Sequence, residues 1–266
     1  MDLVDLLKEI KNYEGKDVEI SGWIKNHRPQ KEFGFILFND GTTQNGIQVV
    51  YDKNLDNFEE ISKLLICSAI KVNGTITASE GKDDFEIKAK SIDILSSCPE
   101  DYPIQPKRHT REFLREQAYL RPRTNLFTAV FRVRSLAAYA IHDYFRKHNY
   151  VYVHTPIITA SDCEGAGQMF QVTTLDLGSK PDYTKDFFGK KASLTVSGQL
   201  QAETCALAYK KVYTFGPTFR AEESNTKTHA AEFWMIEPEI AFADLNEDMC
   251  IMEDMLKYVV KYVLDN

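Results

Sequence analysis

The sequence predicts a mixed α and β protein in which an all-β domain precedes an α+β domain. Three observations lead to this prediction. Over about the first 95 residues, apolar and polar side chains alternate between Asp-Gly and Asn-Gly steps, as in short strands joined by tight turns. A proline-rich stretch begins at Cys98. Beyond it, apolar residues that recur every three or four positions, typical of amphipathic helices, alternate with β-branched and aromatic runs.

Composition limits the class of protein. The chain has 266 residues, of which 43% are hydrophobic and 27% are charged. This excludes a disordered acidic tail and allows one large domain or two. No apolar run approaches the roughly 18 residues that a membrane-spanning helix needs, so we expect no membrane association. The acidic, amphipathic N-terminus predicts neither a signal peptide nor a transit peptide.

The cysteine content and the net charge indicate which cellular compartment and which kinds of partner to expect. The five cysteines include no Cys-x-x-Cys pair. An odd, unpaired set disfavours a disulfide framework and a zinc site, favours buried unreactive thiols and fits a reducing cytoplasm. The net charge of -7 argues against non-specific coating of nucleic acid, so RNA binding requires a local basic surface.

The N-terminal part contains five predicted strands and one intervening helix-like stretch, from Asn57 to Leu65. The strands are 18–24, 33–38, 46–51, 70–77 and 85–89. This order matches a small Greek-key barrel of the OB type, while a generic β-sandwich is an alternative that the pattern alone leaves open. We predict the barrel domain over residues 1–97.

A hinge is predicted over residues 98–120. Pro99, Pro103 and Pro106 lie within nine residues, and three prolines so close together break regular structure and stiffen the chain. We place the domain boundary here and assign residues 121–266 to the second domain.

The segment from Lys107 to Arg134 is strongly basic. It has eight lysines and arginines against two glutamates, a net charge of +6. A solvated helix face is the usual meaning of such a run, and a docking surface for a polyanion is the other. Charge alone leaves both interpretations open.

The second domain is predicted to contain helices around a largely antiparallel sheet. In chain order we expect helix 126–144, strand 150–158 interrupted by Pro156, helix 199–209, strands 212–216 and 233–237, and a last helix opened by a capping box at Asp244–Glu247. The changes in hydrophobic period and the box support these assignments.

A polar loop between two predicted strands carries the residues of most chemical interest. One strand ends in Arg220, the loop contains Lys227 and His229, and the next strand contains Phe233. A guanidinium at a strand end can bind a phosphate, a cationic loop can reach further phosphates, and an aromatic face can stack on a purine. On spacing alone, a polar hairpin with a structural salt bridge is favoured over a nucleotide site.

The sequence Phe219-Arg220-x-Glu222 … His229-x-x-Glu232-Phe233 resembles motif 2 of the class II aminoacyl-tRNA synthetases. The segment Tyr150-x-x-x-His154-Thr155-Pro156-Ile157-Ile158 resembles motif 1, with Asn149 where the family usually has glycine. The order of barrel, basic hinge, motif 1 and motif 2 resembles the aspartyl, asparaginyl and lysyl subgroup. The resemblance implies an antiparallel sheet flanked by helices and a homodimer formed through motif 1.

The resemblance also implies the roles of the loop residues. Arg220 is expected to bind the α-phosphate of ATP and to stabilise the charge that develops during adenylate formation. Glu222 is expected to orient ATP, His229 to reach the γ-phosphate, and Phe233 to stack on adenine. We therefore expect Arg220, Glu222 and His229 to be catalytic and all four to bind ATP.

The same comparison implies an amino-acid site. The glycine-containing segment 161–167 resembles the loop that closes over the amino acid. Glu164 within it is expected to meet the substrate ammonium group, and Ser197 and Gln199 are expected to be polar contacts.

Two positions indicate which amino acid is bound. Aspartyl enzymes have a lysine three residues after the glutamine, where this chain has Ala202, and an aspartate where it has Glu237. A carboxylate accepts a hydrogen bond from a carboxamide and repels a second carboxylate. Loss of the lysine with retention of the acid therefore points to asparagine.

In the barrel, Arg28, Phe35 and Gln48 align with the anticodon reader of the subgroup. Phe35 is expected to stack on the central anticodon uridine of tRNA(Asn), and Gln48 and Arg28 to contact its edge or the backbone. Without the resemblance, a core phenylalanine, a surface charge and an exposed strand residue are the favoured interpretations.

Nothing after Phe242 resembles the third motif of the class. We therefore expect the catalytic domain to be incomplete at its C-terminus, with the ligands of the catalytic Mg²⁺ outside this chain and no metal site within it. The expected function is ATP-dependent activation of asparagine to asparaginyl-adenylate and transfer to tRNA(Asn). The alternatives are a catalytically incomplete tRNA-binding fragment and an enzyme specific for aspartate.

Overall fold

The computed structural model of the chain separates into two compact units, Met1–Arg132 and Val133–Asn266. No helix in the described ranges is long and apolar enough to cross a membrane. The structure describes residues 1–79, 81, 84–163, 165, 168–176, 178, 180–224, 226 and 228–266.

The first unit contains a closed barrel of five strands. They are β1 (Asp17–Pro29), β2 (Phe33–Asn39), β3 (Ile47–Asp52), β4 (Ala69–Ala78) and β5 (Phe85–Ser96). The strand order is β1-β2-β3-β5-β4. Every neighbouring pair is antiparallel except β3 with β5, which is parallel. This confirms the predicted OB-type barrel.

Buried and more exposed side chains alternate along the barrel strands, and the buried ones form the barrel core. On β2, Ile36 and Phe38 are completely buried, whereas Phe35 between Gly34 and Ile36 is only half-buried. Successive side chains of a strand point to opposite faces. The alternation therefore turns Phe35 towards the outer surface.

Two short helices complete the barrel core. Helix α1 (Leu3–Lys8), which the sequence did not predict, buries Leu3 and Leu6 against it. Helix α2 (Phe58–Ile61) is much shorter than the helix predicted over 57–65. The Ser62 hydroxyl donates to the Phe58 carbonyl at 2.8 Å, and such local bonds compete with continued helix.

The segment after the barrel has its own small core. Ile104, Leu114 and Leu120 are buried together. Helix α3 (Arg111–Glu116) supplies Leu114 and begins with Thr110, whose hydroxyl accepts a hydrogen bond from the Phe113 N–H at 3.2 Å. An N-cap of this kind satisfies a backbone donor that the helix itself leaves unpaired. Helix α4 (Asn125–Lys147) follows, and the division between the two units falls within it.

The second unit contains two three-stranded sheets. Its strands are β6 (Val151–Tyr152), β7 (Ile158–Thr159), β8 (Gln171–Val172), β9 (Ala192–Leu194), β10 (Lys211–Phe219) and β11 (Glu232–Ile240). One sheet has the order β11-β10-β6 and the other β7-β9-β8. Strands β10 and β11 are antiparallel, and β6 joins β10 in parallel.

Helices pack on both faces of the β11-β10-β6 sheet. Helix α5 (Gln199–Tyr209) packs its alanines on Val212. On the other face, Tyr213 and Ile236 pack with apolar residues of α4 and of α6 (Leu245–Asp265). Because Ile236 faces α4 and α6, Glu237 faces α5.

The fold class is confirmed, but the predicted strand interrupted by Pro156 is not a single strand. The strand predicted over 150–158 consists of two short strands, β6 and β7, in different sheets. Pro156 lies in the irregular segment between them. A proline cannot donate to a ladder, which agrees with an interruption at this position.

Candidate active site

The end of β10 is held against the chain that leads from β9 to α5. The Phe219 N–H donates to the Thr195 carbonyl at 2.8 Å, and the Arg220 N–H donates to the Ala231 carbonyl at 3.0 Å. The Arg220 guanidinium also donates through Nη2 to the Val196 carbonyl at 3.4 Å. Arg220 is therefore fixed beside the turn that begins α5.

Arg220 and Phe233 lie in one site. Phe233 pairs with Thr218 in the β10–β11 ladder, and the Arg220 Cζ atom lies 5.5 Å from the centre of the Phe233 ring. Arg220 Nη2 also lies 3.8 Å from the Met235 sulfur. The structure thus brings together the cation and the aromatic platform that the sequence predicted.

Glu237 is held by the turn before α5. The Ser197 hydroxyl donates to Glu237 Oε2, and the Gly198 N–H donates to Glu237 Oε1 at 3.1 Å. The Gln199 N–H in turn donates to Ser197 Oγ at 3.1 Å. Ser197 is buried and its single proton is used by Glu237, so its main effect is to orient that carboxylate.

Gly198 permits this contact because the backbone passes very close to its neighbours. A Cβ atom at position 198 would lie 2.5 Å from Thr155 Oγ1 and 2.9 Å from Thr214 Cγ2. Any larger residue would push the turn away from β10. The glycine therefore allows its own N–H to reach Glu237.

Glu237 has acidic neighbours, since the charges of Glu203 and Glu237 both act on Glu239. Ala202 is completely buried against Val212. Among the described residues, no lysine, arginine or histidine forms an ion pair with Glu237. A carboxylate whose oxygens each accept one internal hydrogen bond can still accept bonds from a neutral amide group.

Glu239 lies two residues further along the same face of β11. Burial, together with the charges of Glu203, Glu237 and Asp248, raises the pKa of Glu239 to about 7. Desolvation and like charges both disfavour the ionised form. The face of β11 that meets α5 therefore combines an orientated carboxylate with a second acid that ionises only near neutral pH.

Gln199 is orientated by its helix neighbour. Its side-chain Nε2 donates to Glu203 Oε1 at 2.8 Å, and its Oε1 lies 3.9 Å from the Cys163 thiol. Both Gln199 and Glu203 are exposed. Gln199 therefore stands at the solvent-facing end of the Ser197 and Glu237 network.

The other predicted site residues lie outside this cluster. Glu222 is exposed, and within the described chain it makes no hydrogen bond or ion pair. His229 is also exposed, and its Nδ1 is hydrogen-bonded to the Thr226 hydroxyl. Glu164 lies outside the described residues.

The three predicted anticodon residues form one patch on the barrel. Arg28 pairs with Phe35 across β1 and β2, and its Cζ lies 5.3 Å from the Phe35 ring centre. Arg28 Nη2 donates to Gln48 Oε1 at 3.3 Å, and Gln48 Nε2 donates to Glu86 Oε2 at 2.8 Å. The patch presents an aromatic face bordered by donors and acceptors, which suits a splayed base.

A basic groove also lies within the first unit. Its volume is about 1170 Å³, and no aspartate or glutamate is among its described lining residues. Burial lowers the pKa of Lys25 in its wall. Its basic side chains are Lys25, Lys107, Arg108, Arg111 and Arg123. Four of the eight cations in the basic run of the sequence therefore line a concave surface, and such a surface suits a polyanion better than a solvated helix face does.

A cavity of about 600 Å³ lies beside β10 and the segment that joins β6 to β7. Glu237 and Gly198 contribute to its lining, but Arg220 and Phe233 do not. The cavity therefore reaches Glu237 but not the pair formed by Arg220 and Phe233.

No group of three or more His, Cys, Asp or Glu residues in the described chain is arranged to hold a metal ion.

Sequence reasoning missed Glu86 and Glu203. Glu203 follows Gln199 by four residues on a predicted helix, so the helical period alone places the two side chains together. Glu86 meets Gln48 through the parallel pairing of β3 with β5. No local signal in the sequence specifies that pairing.

The chain is similar in sequence to a known family of enzymes. The family model described as tRNA synthetases class II (D, K and N) matches residues 110–266. An asparagine–tRNA ligase of Acholeplasma laidlawii is 57% identical over 270 residues, covering 98% of this chain and 58% of the relative. An asparagine–tRNA ligase of Bacillus cereus is 58% identical over 269 residues, with the same coverage.

A solved structure shows the same architecture. Asparaginyl-tRNA synthetase from Pyrococcus horikoshii, complexed with asparaginyl-adenylate, superposes with a TM-score of 0.84 and 28% identity. The match covers 96% of this chain and 56% of that structure. The chain therefore spans somewhat more than half the length of the relatives it matches.

Proposed function

Because this chain belongs to the class II tRNA synthetases of the D, K and N group, we propose that it carries the ATP and asparagine sites of an asparagine–tRNA ligase. The observation that carries the proposal is the Glu237 carboxylate, held by Ser197 and Gly198 on the face that also presents Arg220. The relatives and the solved structure named above are asparagine enzymes, which supports the same amino acid.

The reaction has two steps. The asparagine carboxylate attacks the α-phosphorus of ATP, and pyrophosphate leaves. The terminal hydroxyl of tRNA(Asn) then attacks the acyl carbon of the adenylate, and AMP leaves. No side-chain nucleophile is needed, since positioning and charge stabilisation provide the rate.

Arg220 and Phe233 are assigned to the nucleotide. The guanidinium neutralises charge on the α-phosphate, and the Phe233 ring supports adenine. Glu222 and His229 are assigned to the ATP site as well. Their exposure is consistent with a loop that acts on a bound ligand.

The amino-acid site selects asparagine through charge. Glu237 accepts a hydrogen bond from the side-chain carboxamide, and it repels the carboxylate of aspartate. Ala202 is uncharged and completely buried, so position 202 does not offset that repulsion. Ser197 orients Glu237, and Gln199 and Glu164 are assigned to the substrate ammonium group.

Mg²⁺ is assigned as the companion of ATP. The described residues offer no cluster of metal ligands, so they do not by themselves fit a resident ion.

The partner is tRNA(Asn), and two surfaces of the first unit support this assignment. The patch of Arg28, Phe35 and Gln48 is assigned to the anticodon, and the basic groove suits the phosphate backbone. We accordingly assign residues 1–97 to anticodon binding, 98–120 to a hinge and 121–266 to catalysis.

The proposal also includes assembly as a homodimer through motif 1. It further includes a cytoplasmic location, which the five free cysteines support.

Calorimetric titration tests the proposal directly. ATP and asparagine are titrated into the wild-type chain, Arg220→Ala and the matched control Arg146→Ala, whose arginine is exposed on α4. We expect the first variant to lose ATP binding and the control to retain it. Equal ATP binding by all three proteins would refute the assignment of the nucleotide site.

A second function, tRNA binding without aminoacylation, is favoured by one observation. The anticodon patch and the basic groove both lie within Met1–Arg132, so they are complete without the second unit. Binding of tRNA(Asn) with no asparagine or ATP binding would select this function over the ligase.

A further inference from the structure

Glu203 and Gln199 form a defined pair on the first two turns of α5. Gln199 Nε2 donates to Glu203 Oε1 at 2.8 Å. Residues four apart on a helix lie on the same side, so the contact follows from the sequence spacing. An ionised carboxylate accepts hydrogen bonds but cannot donate them. Glu203 therefore selects the NH₂ end of the Gln199 amide and turns the oxygen end away.

The released end of the amide faces the candidate amino-acid site. Gln199 Oε1 lies 3.9 Å from the thiol of Cys163, which belongs to the segment expected to close over the amino acid. The Gln199 N–H is bonded to Ser197 Oγ at 3.1 Å, and Ser197 donates to Glu237. Gln199 thus contacts Glu203 through its side chain, and through its backbone N–H it contacts the Ser197 hydroxyl that holds Glu237.

We propose that Glu203 is a positioning residue that holds the Gln199 amide with its oxygen towards the α-ammonium group of the bound amino acid. The inference rests on the proposed function, since it assumes that asparagine binds at Glu237. An ammonium group has three donors and no acceptor. A reversed amide would point its own donors at that cation, so binding depends on which end Glu203 selects.

Substitution Glu203→Gln tests the idea because a glutamine can donate as well as accept. The new amide can donate to Gln199 Oε1, so the orientation of Gln199 is no longer fixed. Two ligands are titrated by calorimetry: asparagine, and succinamic acid, which is asparagine without its ammonium group. We expect Glu203→Gln to weaken asparagine binding by about tenfold, the usual scale for a hydrogen bond to a charged group. Binding of succinamic acid is expected to stay within about twofold.

A double-mutant cycle separates orientation from simple loss of a negative charge. In Gln199→Glu, residue 199 presents oxygen in either orientation. If Glu203 acts by orienting the amide, Glu203→Gln causes no loss of asparagine affinity in that background. If Glu203 acts only through its field, the loss persists. The second result would overturn the proposal.

Controls keep the remaining outcomes informative. Glu247→Gln removes an exposed carboxylate from α6 and is expected to leave both affinities unchanged. Thermal unfolding verifies that each variant is folded, and Glu203→Ala, which introduces no new donor, replaces Glu203→Gln if that variant is unstable. Equal asparagine affinity in wild type and Glu203→Gln would overturn this inference alone, whereas failure of wild type to bind asparagine would overturn the proposed function with it.

Discussion

The raised pKa of Glu239 predicts how the stability of the second unit changes with pH. Burial, followed by the charges of Glu203 and Glu237, raises the pKa of Glu239 from 4.5 to about 7. An acid whose pKa is raised on folding stabilises the native state fully at low pH and loses that contribution as pH rises. The loss should therefore begin above pH 4.5 and be complete just above pH 7.

The size of the effect follows from the pKa difference and the exposure of the group. A carboxyl group sealed from water would contribute about 3 kcal/mol over this pKa range. Glu239 is only half-buried, so solvent screening reduces the expected contribution to about 1 kcal/mol. Glu239→Gln has no proton to lose and should not show the decline.

Urea unfolding between pH 5 and pH 8 measures this difference. At pH 8, Glu239→Gln is expected to be about 1 kcal/mol more stable than wild type, and at pH 5 the two should agree within about 0.3 kcal/mol. The matched control is Glu232→Gln, at the exposed start of the same strand. A stability difference that does not change with pH would refute the reasoning about Glu239.

Three further predictions concern the other parts of the molecule. Phe35→Ala should weaken binding of an RNA stem-loop with a central anticodon uridine by about tenfold in filter binding, because a stacked base is lost. The control Leu95→Ala, at an exposed barrel position, should not weaken it. Equal losses in the two variants would contradict the anticodon assignment. Arg220→Ala should leave affinity for that stem-loop unchanged while abolishing ATP binding, and parallel loss of both would indicate misfolding instead. Ile36→Ala should lower the free energy of unfolding of the barrel by about 3 kcal/mol in urea titrations, because Ile36 is completely buried. A loss below about 1 kcal/mol would contradict the position of Ile36 in the barrel core.

Long, periodic elements could be predicted from the sequence because their signals are local. The strands of the barrel and helix α4 follow hydrophobic periods that hold over many residues. Helix α1 has no such signal. It has only six residues and depends on tertiary contacts, among them the bond from the Leu3 N–H to Asp40 Oδ2 at 2.6 Å.

Short strands were missed for the same reason. Strands β7 and β8 have two residues each and exist because both pair with β9. Two residues carry no period, so their pairing is visible only once the chain is folded. Residues 150–158 were predicted as one strand because β-branched residues favour strands in general. The sequence does not show that the segment is divided between two sheets.

The candidate site was predictable in composition but not in connectivity. The sequence singled out Arg220, Phe233 and Glu237, and the structure places them on the α5 side of β10 and β11. The bond between Ser197 and Glu237 joins residues 40 positions apart. Such contacts follow from the register of the sheet and from the close approach at Gly198, which local patterns do not contain.

On the proposed function, the Glu237 carboxylate selects asparagine beside a nucleotide held by Arg220. Calorimetric titration of the chain with sulfamoyl analogues of asparaginyl-adenylate and aspartyl-adenylate tests this selection. The asparaginyl analogue is expected to bind about 100-fold more tightly, since two carboxylates in contact repel each other strongly. Glu237→Gln should remove most of that preference. Equal or tighter binding of the aspartyl analogue by the wild-type chain would contradict selection by Glu237.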